Sequence, residues 1–150
     1  MSTLNQVGPY GSDVSADVIH KAFRSGDLPV AVYGLGKMGL PLAGVYAENC
    51  GNVIGADIDP EVVETVNNGD CHVKREPGLT ELVVELVAED SLRATSDPTV
   101  AAREASIHVV IVPTPITDAK EPDLSILRAA VESIGEGLSP GDTVDRKSVV

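Results

Sequence analysis

The chain has 150 residues, enough for one domain of ordinary size with a continuous core and too few for a second full domain. Its 43% hydrophobic content includes only three Tyr, one Phe and no Trp, which points to a core of Val, Ile, Leu and Ala, the usual filling of a parallel sheet covered by helices. With 23 acidic residues against 11 basic ones, the formal net charge is −12; phosphate backbones and anionic membranes are gripped by Lys and Arg patches, so nucleic acid and membrane surfaces are excluded as partners.

Met1 to Gly11 is polar and rich in turn residues and is expected to be mobile. Asp13 or Ser15 can cap a short helix that runs to about Ser25 and is stopped by Gly26, a leader ahead of the first strand. The apolar run Val30-Ala31-Val32-Tyr33 then reads as a strand, followed by Gly34-Leu35-Gly36-Lys37-Met38-Gly39 and a helix to about residue 49. A second strand, about 52 to 57, ends on Asp57, which lies 57 − 34 = 23 positions after the first glycine.

Strand, glycine turn, helix, strand and acid in this order describe a dinucleotide site. Gly34 permits the tight exit from the strand, Gly36 leaves no side chain to block a pyrophosphate, and Gly39 lets the helix pack close to the sheet. Amides at the helix start face the phosphates, and Asp57 can accept from the adenosine ribose hydroxyls. An acid there repels a 2′-phosphate, so NAD is favoured over NADP.

Pro60 suits the first turn of the next helix, which Gly69 stops near Asn68. After a loop through Cys71, Val73 and Glu76-Pro77-Gly78, Thr80 is expected to cap a helix with Leu82, Val83, Leu86 and Val87 on its apolar face. Leu92 to Thr95 reads as a short strand, and Asp97 can cap the brief helix after Pro98. His108 to Val112 is an unbroken apolar run, expected for a central strand buried on both faces. Pro113-Thr114-Pro115 stiffens its exit. Asp123 then caps a helix with Ile126, Leu127, Ala130, Val131 and Ile134 at helical spacing, and a final strand starts at Thr143.

Alternating strands and helices give an α/β fold, a doubly wound, Rossmann-like parallel sheet with helices on both faces and a short N-terminal helical leader. Residues 1–28 form the leader and 29–150 the NAD-binding domain. Ligands in such sheets collect beyond the carboxyl ends of the strands, where strand order reverses. The glycine loop, Asp57 and the Val112-Pro113-Thr114 exit converge there, which makes Gly34, Leu35, Gly36, Lys37, Met38, Gly39, Asp57, Val112, Pro113 and Thr114 the expected cofactor-binding residues.

Cys50 and Cys71 lack C-x-x-C spacing, and no signal peptide or apolar run of membrane length is present, so a cytoplasmic location is expected. His20, His72 and His108 have no second ligand at helical or turn spacing and are read as structural or solvated; no metal site is expected. The scattered acids, among them Glu81, Glu85, Glu89 and Asp90, suit a solvated helical face and a chain adapted to high salt.

Together, Gly34-Leu35-Gly36-Lys37-Met38-Gly39-Leu40-Pro41-Leu42-Ala43, Gly55-Ala56-Asp57-Ile58-Asp59, Glu76-Pro77-Gly78-Leu79, Arg93-Ala94-Thr95-Ser96-Asp97, Val112-Pro113-Thr114-Pro115 and Pro122-Asp123-Leu124-Ser125 make the chain similar to the N-terminal half of the UDP-glucose and UDP-N-acetylmannosamine dehydrogenase family. The flavour of the glycine loop and the acidic surface resemble enzymes of halophilic archaea. The resemblance implies oxidation of a sugar C6 alcohol to a carboxylate with two NAD molecules. It further implies that a cysteine holds the aldehyde as a thiohemiacetal between the two hydride transfers. It also implies that Gly34 to Gly39 hold the pyrophosphate, Asp57 the ribose, and Val112 to Thr114 a border of the cofactor.

The family's catalytic cysteine and its helpers belong to later segments, so no catalytic residue is assigned here and the chain alone is expected to be inactive. Cys50 and Cys71 lie in other segments. Where the family carries a basic residue past the ribose acid, this chain has Pro60, Glu61 and Val62. Its last segment, Thr143 to Val150, also departs: Asp145 and Arg146 fall in a nominally buried strand, Ser148 is kept and Val149 replaces a threonine. The expected partner of the full-length enzyme is a nucleotide sugar, with a homo-oligomer open. A free-standing NAD-sensing regulatory module remains the alternative.

Overall fold

The computed structural model describes residues 13–147; the expectations for Met1 to Gly11, Ser148 and Val149 lie outside the described residues. Among these the chain runs α1 (Ala16–Arg24), β1 (Val30–Tyr33), α2 (Gly39–Cys50), β2 (Val53–Ala56), α3 (Pro60–Asn67), α4 (Leu79–Ala88), β3 (Leu92–Thr95), α5 (Pro98–Glu104), β4 (Ile107–Val110), α6 (Ser125–Gly137) and β5 (Thr143–Arg146). All strand pairs are parallel, in the order β3-β2-β1-β4-β5.

The two faces of the sheet carry different packing. Val30, Val32, Val53, Leu92 and Val109 meet α2 and α4 on one side, through Leu40, Ala43, Ala47, Val83 and Leu86. On the other, Ala31, Tyr33, Ile54, Ala56 and Val110 meet α5 and α6 through Ala101, Ala102 and Ile134. Small residues bring α5 and α6 together: a Cβ added to Gly137 would lie 2.5 Å from the Ala102 Cβ. Helix α1 packs Ala22 and Phe23 with Leu28 and Ile107, so the leader helix covers the end of the sheet where the strands begin.

Local chemistry sets most boundaries. Asp59 caps α3 by accepting from the Glu61 amide, Asp97 caps α5 by accepting from Thr99 and Val100, and each is followed by proline at the first helical position. Gly26 and Gly69 close α1 and α3 with φ of +80° and +70°.

Several expectations are corrected. The strand expected over 108–112 is β4, an inner parallel strand paired with β1 and β5 as expected, but it spans Ile107–Val110 and so ends two residues earlier. Thr80 lies inside α4, whose start is set by Gly78 at φ +79° without a side-chain cap. Asp123 accepts from the Ser125 amide, one position before the N-cap Leu124. Ser15 precedes α1 without a capping bond. Val131, expected on the apolar face of α6, is 48% exposed. Asp145 and Arg146 fall on the edge strand β5, where Asp145 pairs with Lys147, and an edge leaves charges in water.

His108 is fully buried in β4. The Tyr33 hydroxyl lies 3.0 Å from its Nδ1, and its Nε2 faces Asp142 Oδ2 at 3.5 Å without a hydrogen bond. Burial pushes the Tyr33 hydroxyl far above its usual range, with the Asp142 charge adding to the effect, so it stays a donor and Nδ1 accepts. Burial holds His108 below the ordinary value of 6.5, and Asp142 only partly opposes it. A depressed histidine favours the neutral ring, so its contribution is present above pH 6.5 and lost as pH falls through the folded value. The melting temperature is expected to fall more steeply from pH 7 to pH 5 in the wild type than in His108→Gln, as calorimetry at graded pH would show.

Candidate functional site

Strand order runs from β1 through β2 to β3 on one side and through β4 to β5 on the other, so the switch lies between β1 and β4. At the carboxyl ends of these strands the chain builds a tight cluster. Gly34 leaves β1 at φ +96°, and its amide donates to Ala56 O at 2.8 Å. A Cβ on Gly34 would lie 2.8 Å from Ile111 O and 3.4 Å from the Val112 Cα. The first glycine is thereby wedged between the ends of β2 and β4, and Val112 borders the loop. Pro113 and Thr114 follow at the exit, exposed and half-buried respectively.

Leu35 points inward and is fully buried. It sits over Gly55, where a Cβ would come within 2.6 Å of its side chain. Gly55 is thus required as a seat for the loop, a role invisible to any phosphate-binding pattern. Gly39 begins α2 directly against the Gly34 carbonyl, and a Cβ there would also lie 3.1 Å from the Ile111 side chain.

Gly36 differs from its neighbours: a Cβ added to it meets nothing within 4 Å. Its lack of a side chain serves no internal packing and keeps space open outside the loop. Lys37 and Met38 are exposed beside it. Helix α2 starts there without a capping side chain or an acid in its first turn. Helices α1, α4 and α6 also start without a side-chain capping bond; at α2 the bare positive end stands beside the glycine loop, where it fits a ligand phosphate. These residues fit a dinucleotide pyrophosphate.

Asp57 is half-buried. Its Oδ2 accepts from the Leu35 amide at 2.8 Å and its Oδ1 from the Asp59 amide at 3.0 Å. The carboxylate ties the end of β2 to the glycine loop and keeps acceptor capacity for sugar hydroxyls, since each oxygen can accept more than one bond. Asp59 and Glu61 stand exposed just beyond it, where a cation for a 2′-phosphate is wanting.

A residue the sequence did not single out joins the cluster. His72, from the loop between α3 and α4, places Nε2 2.7 Å from Leu35 O. A lone histidine 37 positions away in sequence carries no local signal of that contact. Among the described residues no group of three or more His, Cys, Asp or Glu is placed to hold a metal ion, and no helix is long and apolar enough to cross a membrane.

The profile of the UDP-glucose/GDP-mannose dehydrogenase family, NAD binding domain, matches residues 28–150. The chain is 43% identical over 115 residues to an NDP-N-acetyl-D-galactosaminuronic acid dehydrogenase of Ralstonia nicotianae, covering 77% of this chain and 26% of that protein. It is 38% identical to a UDP-N-acetyl-D-mannosamine dehydrogenase of Salmonella typhi over the same shares. Among solved structures it is similar to UDP-D-ManNAc dehydrogenase from Pyrococcus horikoshii, with TM-score 0.76 and 30% identity over 82% of this chain and 29% of that one. It is likewise similar to GDP-mannose dehydrogenase from Pseudomonas aeruginosa in a ternary complex, with TM-score 0.77 and 26% identity over 82% and 29%. The chain spans about a quarter of the length of the curated relatives it matches.

Proposed function

Because the chain belongs to the UDP-glucose/GDP-mannose dehydrogenase family and matches its NAD binding domain, we propose that residues 29–150 bind NAD through the Gly34–Gly39 loop, Asp57 and the Val112–Thr114 exit, on behalf of a nucleotide-sugar oxidation. In this reading the amides around Gly36 hold the pyrophosphate, Asp57 the adenosine ribose, and Val112, Pro113 and Thr114 border the nicotinamide side. The observation that carries it is the open position at Gly36, set beside an uncapped helix start and a carboxylate already bonded to the loop. NAD, when bound, supplies the hydride acceptor; the chain's own residues bind and orient it.

The substrate class follows the relatives, which are named for NDP- and UDP-linked amino sugars and GDP-mannose. Turnover needs groups held against the sugar as well as the cofactor, and no residue of this chain is assigned to that task. Purified chain is therefore expected to bind NAD and not to oxidise a UDP-sugar. A cytoplasmic location, where NAD and nucleotide sugars are at hand, fits this role.

Calorimetric titration of NAD and NADP at high salt tests the reading. Saturable NAD binding with NADP at least about tenfold weaker is expected, since Asp57, Asp59 and Glu61 follow one another at the end of β2 with no basic residue among them. Asp57→Ala should weaken NAD by about tenfold and narrow that discrimination, because it removes a charged acceptor. A folded wild type that takes up neither nucleotide, or an alanine variant that titrates like the wild type, would count against it.

A further inference from the structure

The turn between β1 and α2 contains two successive peptide units that must be aimed correctly for a phosphate to meet an amide. The first, Gly34–Leu35, is held by Asp57, whose Oδ2 accepts the Leu35 N–H at 2.8 Å. The second, Leu35–Gly36, is held from the other side: His72 Nε2 lies 2.7 Å from the Leu35 carbonyl oxygen. A carbonyl can only accept, so Nε2 carries the ring proton and His72 donates. Nδ1 is buried without a hydrogen-bond partner among the described residues.

In a planar trans peptide the carbonyl and the N–H point in opposite directions. Fixing the Leu35 carbonyl toward His72 therefore fixes the Gly36 N–H away from it. The cofactor side of Gly36 is open, with nothing within 4 Å of its Cβ position. The histidine is itself seated: its neighbour Cys71 is buried against the α2 and α4 side of the core, and the Cys71 thiol lies 3.4 Å from Val73 O. We propose that His72 is a positioning residue of the cofactor site, donating from Nε2 to the Leu35 carbonyl and so aiming the Gly36 amide at the NAD pyrophosphate. This rests on the NAD reading of the glycine loop given above.

Its test compares His72→Gln and His72→Met in the full chain, since the two side chains have similar length and only Gln keeps a donor at the position of Nε2. NAD affinity by calorimetry should fall about fivefold to tenfold in the Met variant and recover in the Gln variant, because a Leu35–Gly36 peptide no longer held in place must be oriented when the ligand binds. In the unliganded chain, ¹⁵N spectra of the imidazole should show the Nε2–H tautomer, and the Gly36 amide resonance should move in the Met variant and return in the Gln variant. Equal NAD affinities in both variants and the wild type would overturn the proposal. A wild type that does not bind NAD would overturn the reading of the site instead. The unliganded spectra would then decide His72 alone: an Nε2 without a proton, or a Gly36 amide indifferent to the Met substitution, removes its hold on the loop. The tautomer needs no variant, so a Met variant that failed to fold would not spare the proposal.

Discussion

Gly39→Ala is expected to be the most damaging single-methyl change in the domain. The added Cβ would fall on the Gly34 carbonyl oxygen, 2.8 Å from the Gly34 carbonyl carbon and 3.1 Å from the Ile111 side chain. None of these neighbours can yield cheaply. The Gly34 backbone is fixed by its own φ of +96° and by its amide bond to Ala56 O, while Ile111 is tied through its amide to Tyr33 O at 3.0 Å. Relief must come from pushing α2 off the sheet, which would open the packing of Leu40, Ala43 and Ala47 against the valines of β1 and β2. Overpacking of this kind costs about 3 kcal/mol, a drop in melting temperature of roughly 10 °C for a domain of this size. Urea unfolding followed by circular dichroism measures it, with Gly36→Ala as the matched control. The control has the same chemistry in the same loop and no neighbour to strike. Similar midpoints for the two variants would mean that Gly39 is not where helix and strand are locked together.

The contrast between those two glycines shows what sequence could and could not convey. Gly34, Gly36, Gly39 and Asp57 were legible because their spacing repeats a local geometry: a strand, a sharp turn, a helix and an acid on the adjacent strand. Capping aspartates before Pro60 and Pro98 and the stops at Gly26 and Gly69 were legible for the same reason, since each works within a few residues of itself. Contacts across the fold were not. Gly55 reads as an ordinary strand residue until Leu35 is found lying on it. His72 meets Leu35 across 37 positions, and Tyr33 meets His108 across 75. The unbroken apolar run His108 to Val112 was legible as an inner strand, which β4 is, although the strand ends at Val110. Thr80 lost its capping role to a backbone conformation, the left-handed Gly78, that no side chain advertises.

Gly36→Val is expected to weaken NAD binding about a hundredfold or more while leaving the fold intact. The space beside Gly36 is empty of protein atoms within 4 Å of a Cβ, and its φ is not one that demands glycine. The branched side chain can therefore be built without moving the turn, and urea and thermal midpoints should stay close to the wild type. A ligand feels the change differently. A pyrophosphate approaching the bare start of α2 must come within hydrogen-bonding distance of the loop amides, and two methyl groups at that surface hold it off by more than a bond can stretch. Losing the amide contacts together with the charge attraction of the helix end should weaken NAD by about a hundredfold or more, taking each charged hydrogen bond at about 1.5 to 3 kcal/mol. The predicted loss is in stability for Gly39→Ala and in binding at unchanged stability for Gly36→Val. Measuring both variants by unfolding and by calorimetry separates a glycine kept for packing from one kept for a ligand. A Val variant that binds NAD normally would place the pyrophosphate elsewhere and leave the opening at Gly36 without a purpose; one that unfolds would show that the opening is closed in solution.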